Sequence, residues 1–411
     1  MSGKLNYFLG LLSGIALMII AWVAFMPFVS SIQMQMPTRS TAPATAVAVE
    51  MDTDAIVQKI NQIHQIIDTN FLGEFDLNHA IEMMFAGFVE GAGDPYTIYM
   101  DAATFRSFRE ETEGSFIGIG VSITVDPTDN RILVISPFEG SPAFEAGMLP
   151  GDKIIRINGY EVFGDGVNEA IRMMRGEAGT EVVVTVYRES DSTTFDLPIT
   201  RAVIEVETVR SNILDNNIGY IRISQFDRVT YDQFVSAYNR LMDENIGGLI
   251  LDLRNNPGGL LDVVNRITDM LVPEGIITYT EDVHGRRVYV PSDERQIEIP
   301  LIVLVNGNSA SASEVLSGAV LDTGVGELLG TTTFGKGLVQ NVFTLRDGSA
   351  VKVTVARYFT PSGISIHGEG ITPTHYVEMP VELTNNLMRL SIEEDIQLLE
   401  AMSLMNELIE R

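Results

Sequence analysis

The chain contains no cysteine, and that single absence removes disulfides, thiolate metal ligands, a cysteine nucleophile and a lipid-modified cysteine anchor together. Histidine is scarce: His64, His79, His284, His367 and His375 are the only ones. None lies in a segment resembling the histidine of a Ser-His-Asp triad, and there is no Gly-x-Ser-x-Gly elbow, so a His-dependent triad is disfavoured. His367 and His375 stand eight apart near Glu369 and Glu378 without recognisable ligand spacing, so no metal site is expected. Basic residues are also few, 27 against 55 acidic ones for a net charge of −28, which argues against nucleic-acid binding and reads as a solvated acidic surface.

What is present is 411 residues, 45% of them hydrophobic, enough for large cores in two or three domains. Residues 7–29 are apolar without a charge and reach the roughly 20 residues a membrane-spanning helix needs. Lys4 is the only charge ahead of them, so the positive-inside tendency predicts a cytoplasmic N-terminus and an extracytoplasmic remainder. A cleaved signal peptide is the competing reading, but the run is long for one, and Ala44-Thr-Ala46 supplies an A-x-A pattern only well downstream. The expectation is an uncleaved single-pass signal-anchor in the cytoplasmic membrane over 1–30. A flexible linker over 31–50, rich in Thr, Ala, Pro and Met, follows it.

Apolar spacing predicts helices over 56–67 and 77–89, then a break at Gly91-Ala-Gly-Asp-Pro95. Phe88, Tyr96 and Tyr99 read as packing residues of this small helical segment, not as a ligand box. Short strands follow over 117–125, 132–135, 153–157 and 181–187, with one helix over 166–174. From about 201 to 379, strands over 218–223, 248–253, 302–305 and 351–358 alternate with helical stretches over 231–242 and 260–271, the pattern of an α/β core. Residues 383–410 read as amphipathic helix, a packing or dimer element.

Three segments of that last region carry chemistry. Asn306-Gly-Asn-Ser-Ala-Ser311-Ala-Ser-Glu314 sets serine hydroxyls among small residues, and Thr333-Phe-Gly-Lys336-Gly-Leu-Val-Gln340 sets a lone lysine between glycines. A serine hydroxyl needs a base to take its proton as it attacks. Lysine serves only when neutral, so its ordinary pKa near ~10.4 must be lowered by apolar surroundings, which Phe334, Leu338 and Val339 could supply. Read singly, the first segment is a helix N-cap and the second a solvated lysine in a turn. Leu251-Asp-Leu-Arg-Asn-Asn-Pro-Gly-Gly259 is a buried strand ending in a turn whose backbone N–H groups could face a developing oxyanion. Gly330-Thr-Thr-Thr-Phe-Gly335-Lys336-Gly337 nearly fits a phosphate-binding loop, but Gly337 lacks the hydroxyl that would hold magnesium, no helical spacing follows, and an extracytoplasmic domain would not meet ATP.

Two resemblances join these segments. Gly118-Ile-Gly-Val-Ser-Ile123 and Ser141-Pro-Ala-Phe-Glu-Ala-Gly-Met-Leu-Pro-Gly-Asp-Lys-Ile-Ile-Arg-Ile-Asn-Gly159 resemble a PDZ domain. In that family the loop corresponding to Gly118, Ile119 and Gly120 holds a peptide's terminal carboxylate while the peptide adds as a strand. The strand-turn, Ser and Lys segments together resemble the C-terminal processing peptidases, or tail-specific proteases, over roughly residues 50–385. That resemblance implies Ser311, chosen from Ser309, Ser311 and Ser313 by the family's spacing of 25 to Lys336, as nucleophile. It implies Lys336 as general base, Gln340 as its orienter, and the amides of Ala312 and Gly258 as oxyanion hole. It further implies α/β and α+β domains: a helical segment over 51–104, a PDZ domain over 105–192, a ClpP/crotonase-like serine-peptidase core over 200–380 and a C-terminal helical segment over 381–411. The expected activity is a serine endopeptidase without cofactor, taking protein or peptide substrates with free apolar C-termini, with a homodimer through the terminal helices compatible with the family. An inactive PDZ scaffold that only captures tails is the alternative. Arg172 and Arg175, at the end of the PDZ helix, are candidates for reporting occupancy to the core, Arg175 foremost; otherwise they are surface charges.

Overall fold

The computed structural model describes residues 51–384, 387 and 390–410, and these divide into two compact units between Phe75 and Asp76. The first holds helix α1 (Thr53–Asn70), started by the Asp52 carboxylate, which accepts from the Ala55 amide at 3.0 Å. The apolar span over 7–29 and the linker over 31–50 lie outside the described residues. Among the described residues no helix is long and apolar enough to cross a membrane.

The second unit opens with α2 (Leu77–Glu90), β1 (Ile98–Met100) and α3 (Ala102–Glu113). Apolar periodicity does not announce α3, which is mostly polar; it forms because Asp101 caps the Thr104 amide at 2.7 Å and Gly114 ends it in a left-handed turn. After it come β2 (Ser115–Gly118), β3 (Val121–Val125), β4 (Ile132–Pro137), α4 (Pro142–Glu145), β5 (Lys153–Ile157), β6 (Tyr160–Glu161), α5 (Val167–Met174), β7 (Glu181–Arg188) and β8 (Thr193–Thr200). They make an antiparallel sheet in the order β3-β4-β5-β7-β8, with β6 beside β5. The strand expected over 117–125 is two strands, because the chain turns at Gly120 (φ +75°). As a result β2 pairs instead with β9 (Ala202–Glu205), and β3 is left as a sheet edge. Ile132, Ile154, Ile157, Val184 and Val186 form this sheet's core with Ala170 and Met174 of α5.

The remaining elements are β10 (Val209–Leu214), β11 (Ile218–Ile223), α6 (Thr230–Asp243), β12 (Gly248–Asp252), α7 (Leu261–Asp269), β13 (Gly275–Asp282), β14 (Arg287–Ser292), β15 (Leu301–Val305), α8 (Ala312–Thr323), β16 (Glu327–Gly330), β17 (Leu338–Thr344), β18 (Ala350–Phe359), β19 (His375–Tyr376), α9 (Val381–Thr384) and α10 (Ile396–Ile409). One sheet runs β10-β11-β12-β15-β16-β19, parallel from β11 onward. Its inner strands β11, β12, β15 and β16 are largely buried on both faces, as a sheet covered on both sides requires. Leu249, Leu251 and Val303 face α6, α7 and α8, whereas Ile250, Ile302 and Leu304 face Leu398, Ala401 and Met405 of α10. Each such fully buried side chain stabilises the fold by about 1.5–3 kcal/mol. The helix expected over 383–410 is shorter than its amphipathic pattern: Asp395 caps α10 at the Leu398 amide, 3.0 Å away, and so sets its start.

A second sheet runs β1-β18-β13-β14. Its long strand β18 carries β17 along one side and β1 and β13 on the other.

Candidate active site

Three loops leave the carboxyl ends of neighbouring parallel strands β12, β15 and β16, the edge of an α/β sheet where ligand sites form. They are the Asp252–Gly259 turn, the Asn306–Ser311 loop before α8, and the 331–336 loop that runs into β17. One buried carboxylate gathers two of them. Glu314 accepts from the Ser311 amide at 2.8 Å, the Lys336 amide at 2.8 Å, the Gly335 amide at 2.7 Å and the Thr333 hydroxyl at 2.6 Å.

The three serines of the first segment have different surroundings. Ser309 and Ser313 are wholly buried; their hydroxyls donate to the carbonyls of Leu253 at 2.8 Å and Asn256 at 3.0 Å. These bonds fasten the loop to the β12 turn. Ser311 alone of the three is partly exposed. It has φ +56° and ψ −113°, a conformation that costs an L-residue roughly 1–3 kcal/mol and persists only where the surroundings enforce it.

Lys336 is half-buried, and its amine lies 4.7 Å from the centroid of the Tyr96 ring. Burial is the main cause that pulls its pKa below the usual lysine value; the neighbouring Lys352 charge acts in the same sense, and Asp94 and Glu314 oppose it. The buried Tyr358 hydroxyl joins the two segments a second time. It donates to the Lys336 carbonyl and is hydrogen-bonded to the Ser311 side chain; burial and then Glu314 push its own pKa well above the usual phenol value. Among the described residues no hydrogen bond links the Lys336 amine to the Ser311 hydroxyl; the amine lies against the Tyr96 ring instead. Gln340, on β17, turns its amide to the Thr354 hydroxyl at 3.4 Å, not to the Lys336 amine.

Gly258 has φ +105°, and a Cβ there would stand 2.7 Å from the Ala310 carbonyl oxygen, 2.8 Å from Ser311 Cβ and 3.0 Å from the Ala312 nitrogen. Only glycine fits against the Ser311 backbone at that point. The Ala312 amide, at the first position of α8, has no acceptor among the described residues, whereas the Gly258 amide donates to Asn256 Oδ1 at 2.9 Å.

At the other sheet, a cavity of about 150 Å³ lies between β3 and α5, lined by Ile119, Val121, Ile123, Ile171 and Met174 with Arg175 at its side. The carbonyls of Ile119 and Gly120 are taken by the Ala143 and Phe138 amides at 2.8 Å and 2.9 Å. The amides of Ile119 and Gly120 have no backbone acceptor among the described residues, and Gly118 ends β2. Arg175 pairs with Glu110 of α3 and stacks over Phe116 at 5.2 Å; Arg172 pairs, among the described residues, only with Glu169 on its own helix.

Sequence reading gave no role to Glu314 or Tyr358 and treated Tyr96 as packing. Glu314 stands inside the serine segment, and a carboxylate three residues after a serine is the signal of a capping box; its bonds to the lysine loop had no signal. Family comparisons agree with the two regions described. A model described as "Peptidase family S41" matches residues 217–377, one for the PDZ domain matches 116–199, and one described as "Activating protease CtpB N-terminal domain" matches 18–104. The chain is 38% identical over 329 residues to the carboxy-terminal processing protease CtpA of Bacillus subtilis, covering 80% of this chain and 70% of that one. It is 34% identical over 357 residues to CtpB of the same organism, covering 86% and 74%. It is 36% identical over 342 residues to a carboxy-terminal-processing protease of Bartonella bacilliformis, covering 81% and 77%.

Proposed function

Since the chain belongs to the carboxy-terminal processing proteases, serine peptidases of family S41 that carry a PDZ domain, we propose that Ser311 is its nucleophile and Lys336 its general base. The observation that carries this reading is Glu314, whose one carboxylate is bonded to the backbone of both residues. A lysine with a lowered pKa beside a strained, accessible serine supplies what base-assisted attack needs. The neutral Lys336 amine takes the Ser311 proton as Oγ attacks the peptide carbonyl. The ammonium so formed then protonates the leaving amine, and a water deprotonated by Lys336 releases the acyl group. The Ala312 amide receives the oxyanion, joined by the Gly258 amide once it leaves Asn256.

In the geometry described, the Lys336 amine rests on Tyr96 and the Ser311 hydroxyl on Tyr358. Catalysis in this reading requires the amine to leave the ring and meet the hydroxyl, with Gln340 steadying it. Substrate tails bind the apolar groove between β3 and α5, their carboxylate on the Gly118, Ile119 and Gly120 loop. Residues 7–29 anchor the protein in the cytoplasmic membrane with its catalytic part outside.

The test is cleavage and binding of a peptide with a free apolar C-terminus by wild type and Ser311→Ala. Loss of cleavage with binding intact is expected; unchanged cleavage removes Ser311 from the mechanism.

A further inference from the structure

We infer that Lys352 is a second lysine of the active site, an electrostatic positioning residue whose ammonium holds Lys336 neutral by repulsion. This rests on the reading of Lys336 as the base. Lys352 lies on β18, opposite Val342 of β17 and Ile98 of β1. Two residues on, Thr354 is opposite Gln340, so the strand's two-residue period sets Lys352, Thr354 and Gln340 on one face. The chain from Asp94 through α3 touches these residues at three points. Tyr96 carries the Lys336 amine at 4.7 Å, Phe108 carries the Lys352 amine at 5.4 Å, and the Thr97 hydroxyl between them accepts from the Thr354 amide at 3.1 Å. Two lysines thus lie against two aromatic rings of one segment.

Neither amine has an ion pair among the described residues. Lys352 is half-buried, and no titratable group offsets the desolvation that lowers its pKa. A cation so placed is poorly screened, and a neighbouring cation is one of the ways a lysine is made neutral. The groups facing Lys336 are accounted for. Asp94, in the loop before β1, and Glu314, on α8, favour its charged form. Both are engaged: Asp94 accepts from the Thr97 hydroxyl at 2.6 Å and the Tyr96 amide at 3.3 Å, and Glu314 holds its four donors. Tyr96 contributes its ring face and Tyr358 a high-pKa hydroxyl. Lys352 is therefore the facing charge that works against protonation of Lys336, in addition to burial.

The experiment measures kcat/KM against pH for wild type, Lys352→Met, Lys352→Gln and Lys352→Arg. In parallel, the Lys336 amine is titrated by NMR of isotope-labelled lysine in a Ser311→Ala background. Removing the charge is expected to move the acidic limb, and the Lys336 titration, up by about one pH unit. That is an about tenfold loss of rate below the limb, with the wild-type rate regained above it. Arginine keeps the charge and is expected to leave both where they are. Coincident curves for wild type and the uncharged variants overturn the proposal, as does an equal displacement by arginine, which marks a packing role. If Lys336→Met keeps the wild-type limb, the base assignment fails instead; the NMR titration still decides whether Lys352 repels the Lys336 ammonium.

Discussion

Glu314 concentrates the residue-scale organisation of the site, because four donors from the serine and lysine segments meet on one wholly buried carboxylate. An amide in its place keeps one acceptor oxygen but turns N–H groups toward backbone donors. Glu314→Gln is therefore expected to lower stability by about 1–3 kcal/mol, measured by denaturant unfolding, and to reduce kcat far more than it alters KM, because it loosens Ser311 against Lys336. A variant with wild-type kcat would show that this clamp does not position the reacting groups. Ser311 and Lys336 could be named as candidates in the sequence because each stands in a short local motif, a serine among small residues and a lysine between glycines, that the family resemblance joins. Tyr96 and Tyr358 were not, since an isolated tyrosine has no pattern and these act only once β1 and β18 bring them over the lysine loop. The expected contact of Gln340 with Lys336 came from the family resemblance, yet the strand pairing of β17 turns its amide to Thr354.

At the scale of elements, the parallel strands β11, β12 and β15 were legible as short apolar runs, since strands covered on both faces have no polar alternation, whereas the four-residue β16 was not. Strand β17 is amphipathic and short, and it is specified by pairing with β18, so the sequence after Lys336 read only as non-helical. The least legible link joins α10 to the Gly258 turn. Buried Arg254, in the turn after β12, bonds Asp252 at 2.7 Å and Asp395, the cap of α10, at 2.8 Å. The arginine stands in a quoted motif, but its partner lies 141 residues on. Leaving such a guanidinium buried without its carboxylate costs about 3–5 kcal/mol. Asp395→Ala is expected to lose that much in chemical unfolding and to weaken catalysis through the Gly258 turn; stability within about 0.5 kcal/mol of wild type would mean that α10 does not brace the turn.

At the scale of the whole chain, α3 touches both chemistries. Its Glu110 pairs with Arg175 beside the groove between β3 and α5, and its Phe108 ring lies against the Lys352 amine. This is the physical route by which groove occupancy could reach the lysines, and the charged composition that hid α3 from the apolar periodicity is what equips it for the Arg175 contact. Arg175→Ala is expected to alter tail-stimulated cleavage while leaving the fold's melting temperature within a few degrees, since a half-exposed pair contributes about 1 kcal/mol or less. If neither basal nor tail-stimulated cleavage changed, Arg175 would not be a relay. The presence of a PDZ sheet and an α/β core was legible from the long Ser141–Gly159 motif and the strand–helix alternation. The contacts of α3 with Arg175 and Lys352 were not, because α3 lies between the segments those patterns described.

The central claim is that a neutral amine at position 336 takes the Ser311 proton, and the absence of cysteine makes one measurement unusually direct. In Lys336→Cys the only thiol in the chain can be alkylated to an aminoethyl-cysteine, a lysine analogue whose sulfur makes the amine a weaker base. Peptide cleavage is measured against pH before and after alkylation. The account predicts no cleavage before alkylation, recovery afterwards, and an acidic limb at lower pH than in the wild type; full activity before alkylation, or recovery with an unmoved limb, would contradict it.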